Sequence, residues 1–150
     1  MELVAITESG EIAKPVRSMP PVAAGIVGAT TQLYHAVGYE PPWIGYLAIE
    51  NDNCIGTCGF KSPPHDNRVE IAYFTFPGHE SRGVATRMAG ELIRLALDKM
   101  PAATVAAQTL PEENASTSVL KKLRFRLTGT VDHPEDGLVW EWQLSDTSEA

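Results

Sequence analysis

The stretch from Gly78 to Thr86 has the residue types that could bind a phosphate group. It follows a β-forming run, Arg68 to Phe76, and Gly83 stands where a helical pattern begins. Unpaired N–H groups and the helix dipole attract anions to a helix start, and a glycine there lets a phosphate approach the backbone. Arg82 and Arg87 would add charge-assisted hydrogen bonds. The same spacing also fits an ordinary strand–turn–helix connection, so both interpretations stay open.

Two well-known phosphate motifs are absent from the sequence. It contains neither G-x-x-x-x-G-K-[ST] nor a G-x-G-x-x-G that opens an early strand–helix–strand unit. The sequence therefore disfavours a P-loop protein and a dinucleotide-binding fold.

Glu70 is the best candidate for a general base. Strand alternation places it on one face with Ala72, Phe74 and Phe76, and Tyr73 on the opposite, core-facing side. Burial among apolar groups would raise the pKa of its carboxyl toward values useful for proton transfer. The alternative is that Glu70 forms an ion pair with Arg68 or with a neighbouring strand.

The two cysteines indicate no metal site. Cys54 and Cys58 form no C-x-x-C pair, and no second pair of ligands follows at a suitable spacing. They are expected to be small buried residues.

The net charge and the length of the chain limit which partners it could bind and how many domains it could form. The 150 residues carry 19 acidic and 12 basic side chains, a net charge of -7, which disfavours nucleic acid and anionic membranes as partners. No leader pattern or spanning apolar stretch is visible, which predicts a cytoplasmic protein. The length predicts one domain over residues 1–150, with a frayed polar tail at 145–150.

The elements that must position these residues alternate along the chain. Apolar periodicity and turn residues predict helices at 20–38, 83–100 and 115–123. They predict strands at 2–6, 43–50, 54–60, 68–76, 104–110, 125–131 and 138–144. This order indicates a mixed α/β or α+β domain built on one central sheet.

Two segments resemble the signatures of the GNAT N-acetyltransferases. Glu80-x-x-Gly83-x-Ala85 is similar to the family's Q/R-x-x-G-x-G/A turn, with Glu80 in place of Gln or Arg. Asn114 to Phe125 resembles the second signature, N-x-A-S-x-x-V-L-x-K-x-G-F, with Asn114 one residue closer to the serine and Arg124 in place of glycine. Together with the order of elements, the resemblance covers roughly residues 43–125.

The resemblance implies a fold and a cofactor. The fold is a mostly antiparallel sheet of six or seven strands with helices on both faces, and the co-substrate is acetyl-CoA, without a metal. Carried onto this chain, the pantetheine arm would pair with the backbone of Phe74, Thr75 and Phe76. The pyrophosphate would take the N–H groups of Arg82, Gly83, Val84, Ala85 and Thr86. Asn114 and Ser116 would lie near the cofactor, although Ser116 could instead be the N-cap of its helix.

The resemblance also implies direct acetyl transfer to an amine in a ternary complex, with Glu70 as the base. The acceptor would be a small molecule or a peptide, bound near 20–43. The acid for the leaving thiolate is unassigned, because no tyrosine follows Tyr73. An acyl-cysteine route is disfavoured. The alternatives are a non-catalytic domain that binds acyl-CoA or a protein, and a plain interaction domain. Trp140 and Trp142 could support a homodimer or cover the sheet.

Overall fold

Seven strands and three helices form the part of the chain that the computed structural model describes, residues 1–14 and 16–144. The strands are β1 (Glu2–Ala5), β2 (Gly45–Glu50), β3 (Asn53–Phe60), β4 (Arg68–Thr75), β5 (Thr104–Thr109), β6 (Phe125–His133) and β7 (Gly137–Leu144). The helices are α1 (Pro21–Val37), α2 (Val84–Lys99) and α3 (Ala115–Lys122). Each predicted element is present with small shifts at its ends, whereas the predicted frayed tail, 145–150, lies outside the described residues.

The strands form one sheet in the order β1-β2-β3-β4-β5-β7-β6. Neighbouring strands are antiparallel except β4 and β5, which are parallel and paired only from Arg68↔Thr104 to Ile71↔Ala107. Because β3 stays paired with β4 as far as Thr75, β4 continues past the point where β5 leaves it. The backbone of 72–75 therefore faces a gap. The predicted mixed fold with a mostly antiparallel sheet is confirmed.

The helices cover both faces of this sheet. Ala23 of α1 packs in one apolar cluster with Leu47 of β2, whereas Met88 and Leu92 of α2 pack in a second cluster with Ala48. Leu47 and Ala48 are consecutive on β2 and point to opposite faces. The helices on both faces are therefore as expected.

Helix α1 turns part of its apolar surface away from the sheet. Its fully buried residues are Ala23 and Tyr34, whereas Val22 and Leu33 are 39% and 38% exposed. The Tyr34 hydroxyl fixes this rotation, since it donates to the Ile6 carbonyl at 2.8 Å and accepts from the Gly45 N–H at 2.9 Å. Ile26, Ala29 and Leu33, which recur at helical spacing on α1, border a cavity.

The closing hairpin of β6 and β7 adds its tryptophans to the core. Trp142 is 2% exposed, and its Nε1 donates to Thr109 Oγ1 at 3.0 Å. Trp140 is partly buried against the same core. Of the two expectations for these side chains, covering the sheet is what the structure shows. No described helix has the length and apolarity needed to cross a membrane.

Candidate functional site

A cleft of about 460 Å³ opens where β4 and β5 separate. We call it the β4–β5 cleft; it lies between the end of β4, the loop before α2 and the first two turns of α3. Seven of the residues predicted to bind a cofactor line it: Phe74, Thr75, Gly83, Val84, Ala85, Thr86 and Ser116. The structure thus brings together segments that are far apart in the sequence.

The N-terminus of α2 points unpaired donors into this cleft. Gly83 precedes the helix with a left-handed φ of 74°, no side chain caps the helix start, and no acidic residue lies in its first turn. The first N–H groups of an α-helix have no partner within the helix. Val84, Ala85 and Thr86 therefore present backbone donors and the positive end of the dipole to the cleft, which suits a phosphate.

Glu80, which departs from the family signature, is used to shape the loop. Its Oε1 accepts a hydrogen bond from the Gly78 N–H at 2.8 Å. Backbone N–H groups, its own first and then that of Gly78, hold the pKa of this carboxyl below its usual value. The carboxylate thus bonds to the loop itself.

The two arginines near the cleft differ in their partners. Arg87 forms a two-pronged ion pair with Glu50, at 3.0 and 3.2 Å, and this hydrogen bonding holds the pKa of the Glu50 carboxyl below its usual value. Arg82 is exposed in the loop and its side chain lies outside the cleft lining. Arg82 is therefore the more available of the two cations.

Asn114 is the N-cap of α3. Its Oδ1 accepts from the Thr117 N–H at 3.1 Å, and its own N–H donates to Thr117 Oγ1 at 2.9 Å. The suggestion that Ser116 could be the N-cap is therefore wrong. Ser116 lines the β4–β5 cleft, whereas Asn114 lines a neighbouring polar cavity that Ser116 also borders.

Two residues of one predicted segment have different environments. Phe76 is 1% exposed and packs with Leu47 in the α1-side cluster, so its side chain lies away from the cleft. Phe74 is 48% exposed, so its side chain is not part of the buried core. The sequence did not predict Val119 and Lys122 as cleft residues, but both line the cleft on the same helix as Ser116. Their spacing of three and six residues from Ser116, which makes consecutive members neighbours on the helix surface, could have indicated them.

Tyr73 lies at the centre of the site, where the sequence predicted a core residue. Its side chain is partly buried and borders the β4–β5 cleft, and its hydroxyl donates to the Ser116 carbonyl at 3.1 Å. Burial raises the pKa of this phenol above its ordinary value. The hydroxyl is therefore protonated at neutral pH.

A second cavity, the α1 groove, lies between α1 and the strands β3 and β4. It measures about 290 Å³, and Ile26, Ala29 and Leu33 of α1 line one side of it. Tyr73 and Phe74 line both this groove and the β4–β5 cleft. The two cavities therefore meet at these two residues of β4, next to the gap after Ile71.

Glu70 lies on the groove side of β4 but not in the apolar surroundings predicted for it. Its Oε2 is 2.5 Å from Lys61 Nζ, and its Oε1 is 3.9 Å from Arg68 Nη1. Lys61 lines the α1 groove, so the carboxylate lies just beyond the groove lining. The apolar environment was wrong because Lys61 sits directly opposite Glu70 on the neighbouring chain segment, as its N–H bond to the Glu70 carbonyl shows.

The cysteines are buried free thiols. Burial raises the pKa of Cys58 to about 12, and it also raises the pKa of Cys54. Both are therefore protonated and poor nucleophiles at neutral pH. Within the described ranges, no cluster of three or more His, Cys, Asp or Glu side chains is placed to hold a metal ion.

Comparison with known proteins identifies the family. Residues 17–126 match the profile of the acetyltransferase (GNAT) domain. A curated relative, the uncharacterized N-acetyltransferase p20 of Bacillus licheniformis, is 32% identical over 84 residues, which are 55% of this chain and 47% of that protein. The chain thus spans about half the length of that relative.

Solved structures share the fold. The structure of yncA from Salmonella typhimurium, solved with acetyl-CoA, has a TM-score of 0.59 and 18% identity over 83% of this chain and 72% of that one. A mutant of the spermidine N-acetyltransferase SpeG of Vibrio cholerae has a TM-score of 0.64 and 12% identity over 79% and 74%. From the matched profile and this shared fold, the chain belongs to the GNAT acetyltransferase family.

Proposed function

We propose that this protein transfers an acetyl group from acetyl-CoA directly to a primary amine in a ternary complex. One observation carries the proposal: two cavities of different chemistry meet at Tyr73 and Phe74. One has the donors for a phosphate-bearing cofactor, and the other is an apolar groove open to an acceptor. A reaction between two bound substrates needs such a junction.

The cofactor would lie along the β4–β5 cleft. Its pyrophosphate takes the N–H groups of Val84, Ala85 and Thr86, with Arg82 as a flexible cation. Its pantetheine arm pairs with the open backbone edge of β4 at 74–75, and Ser116 and Asn114 border its far side. This places the thioester at the gap between the strands, next to Tyr73. Phe76 is excluded from the pairing with the pantetheine arm, because its N–H donates to the Ile55 carbonyl at 2.9 Å and its carbonyl accepts from the His79 N–H at 3.1 Å.

The chemistry follows from the groups at the junction. Glu70, directly or through water, accepts a proton from the acceptor ammonium, which replaces Lys61 as the partner of the carboxylate. The free amine attacks the thioester carbon, and open N–H groups of β4 stabilise the charge on the carbonyl oxygen. As the C–N bond forms, the nitrogen loses its second proton to solvent. As the C–S bond breaks, Tyr73 gives its proton to the leaving sulfur and regains one from solvent.

The runner-up is a non-catalytic domain that binds acyl-CoA or a protein partner. The protonated phenol and the nearby carboxylate favour catalysis over simple binding, because a binding module needs neither. The free thiols suit the reducing cytoplasm, where we place the protein. Homodimer formation stays a prediction for sedimentation analysis.

Two measurements test the proposal. Acetyl-CoA at 100 times its dissociation constant stabilises a protein by about 2.7 kcal/mol, which raises the Tm of a chain this long by roughly 5–10 °C. Release of free thiol on adding a primary amine then reports transfer. Absence of the Tm rise overturns the cofactor assignment; a Tm rise without thiol release from any amine supports the binding module.

A further inference from the structure

The α1 groove has apolar side chains on two of the elements that form it, α1 and β4. Leu33 of α1 and Phe74 of β4 both line it, and they are 38% and 48% exposed. Concave sites walled by exposed apolar side chains generally bind apolar ligand groups. Covering these two side chains would remove apolar surface from water and so favour binding.

The groove is closed at one end and open at the other. Helix α1 lies so close to β2 that a methyl group on Gly45 would come within 2.8 Å of Thr30 Cγ2. At the other end the lining passes Ala72 to Tyr73 and Phe74, where the β4–β5 cleft begins. A bound molecule would therefore place one end against Thr30 and its reactive end near the cleft.

The size of the groove limits its occupant. Its volume is about 290 Å³. At about 30 Å³ for each water-sized group, this is room for roughly ten non-hydrogen atoms. A compact alkyl or aryl group fits, whereas an oligosaccharide extends well beyond the groove.

The charges around the groove limit its occupant further. Among the described residues that line it, Lys61 is the sole charged side chain, and it is a cation. One ammonium group can replace Lys61 beside Glu70, since Lys61 is 43% exposed and free to turn toward solvent. A second ammonium would lie against apolar walls without a partner, which is costly.

We propose that the acceptor is a primary monoamine carried on a compact apolar group, and that polyamines are poor substrates. The inference rests on the proposed acetyl transfer and names its acceptor class. The apolar group lies between Leu33 and Phe74, and the amine lies toward Glu70 and the gap between β4 and β5. Although the whole chain has a net charge of -7, none of the described residues that line the α1 groove is acidic.

A panel of acceptors tests the proposal by thiol release from acetyl-CoA. We expect kcat/KM for 2-phenylethylamine to exceed that for spermidine by at least about 100-fold, since an aromatic ring buries about 150–250 Å² of surface. Equal or better use of spermidine overturns the proposal. A tenfold preference for a short peptide with an apolar first residue also overturns it, in favour of a protein N-terminus.

Two variants locate the effect in the groove. Leu33→Asp should raise the KM for 2-phenylethylamine about tenfold or more, because it places a carboxylate on the apolar wall. It should also reduce the ratio of kcat/KM for 2-phenylethylamine to kcat/KM for spermidine. Leu138→Asp is the matched control, since Leu138 is 60% exposed and lines neither the α1 groove nor the β4–β5 cleft. This substitution should leave the KM for 2-phenylethylamine and the preference over spermidine unchanged. Equal effects of the two substitutions contradict the proposal.

Ala72→Leu offers an independent test, because it fills the open end of the groove with a larger side chain on an exposed position. It should lower kcat/KM for 2-phenylethylamine at least tenfold while the acetyl-CoA-dependent rise in Tm persists. If acetyl-CoA raises the Tm and no monoamine releases thiol, the acceptor class is wrong while cofactor binding stands. If acetyl-CoA leaves the Tm unchanged, the proposed function itself fails.

Discussion

Replacing Glu70 by glutamine separates a catalytic role from a structural one. The substitution keeps the shape of the side chain but removes its charge and its ability to accept a proton from the acceptor. Its carboxylate contacts Lys61 Nζ at 2.5 Å in the folded protein. The change therefore acts on the ion pair with Lys61, on the longer contact with Arg68 Nη1 at 3.9 Å, and on one proton transfer.

The stability cost should be small. Lys61 is 43% exposed and the Glu70 side chain 14%, so the lysine can turn to solvent once its partner is neutral. An ion pair with one partner this exposed contributes about 1 kcal/mol or less, which lowers the Tm of a domain of this length by about 2–4 °C. Loss of a general base typically costs roughly 10²–10⁴ in rate, or about 2.7–5.4 kcal/mol of transition-state stabilisation.

The assay compares kcat from thiol release, Tm, and the acetyl-CoA-dependent rise in Tm for wild type, Glu70→Gln and Glu141→Gln. Glu141 is the matched control, because it is a partly buried carboxylate whose Oε1 is 2.6 Å from Arg68 Nη2, and it lies outside both cavities. Glu70→Gln should lose at least about 100-fold in kcat with cofactor binding intact, whereas Glu141→Gln should keep its kcat. A kcat within about threefold of wild type for Glu70→Gln refutes the role of this carboxylate as the base.

Three further predictions concern stability. Arg124 follows α3 with a left-handed φ of 71°, so Arg124→Gly should raise stability by about 0.5–1 kcal/mol; a lower Tm contradicts this. Thr109→Val leaves the buried Trp142 N–H without its acceptor and should cost about 1–3 kcal/mol by urea unfolding, whereas Thr109→Ser should cost less; equal costs contradict it. Burial raises the pKa of the Cys58 thiol from 9.0 to about 12, so the contribution of the buried thiol to stability is complete below pH 9 and is lost as the pH rises toward 12. The Tm of the wild type should therefore fall over this pH range, and Cys58→Ala should make the fall less steep. An unchanged slope of Tm against pH contradicts this prediction.

Local sequence signals predicted the parts of the fold that neighbouring residues determine. Asn51 and Asp52 adopt the positive φ values, 52° and 63°, that a tight hairpin turn requires, and β2 and β3 pair across them. The turn at Gly83 and the start of α2 could also be predicted, because the glycine and the first helical residues lie within a few positions of each other. The mostly antiparallel sheet followed from the family resemblance, whereas the order of its strands comes from the structure.

Features that depend on tertiary contacts could not be predicted in the same way. The alternation on β4 put Glu70, Phe74 and Phe76 on one face, and all three do lie on the α1 side of the sheet. What covers them differs along the strand: Phe76 packs into the α1-side cluster, Phe74 borders the groove, and Glu70 meets Lys61. Strand alternation gives the face of a residue, but not which helix or side chain lies above it.

The position of Tyr73 has the same origin. Alternation assigned it to the face opposite Glu70 and predicted a core residue, and in the structure this is the face that α2 covers. However, β5 leaves β4 after the Ile71↔Ala107 pair. Tyr73, the next residue of β4 on the same face as Ile71, therefore borders a gap instead of a packed strand. The divergence of two strands, which no local pattern in the sequence records, turns a core position into one at the junction of two cavities.

The net charge shows why bulk composition predicts neither ligand of this protein. An overall charge of -7 argues against a polyanion and slightly for a cationic acceptor. The structure places unpaired N–H groups of α2 at the β4–β5 cleft, with no acidic residue in the first helical turn, and gives the described lining of the α1 groove a single charged residue, the cation Lys61. Because backbone donors and desolvated contacts act over a few ångströms whereas exposed charges are screened over about 10 Å, the local arrangement determines which ligands bind. The acidic surface therefore affects solubility and encounter more than the choice of substrate.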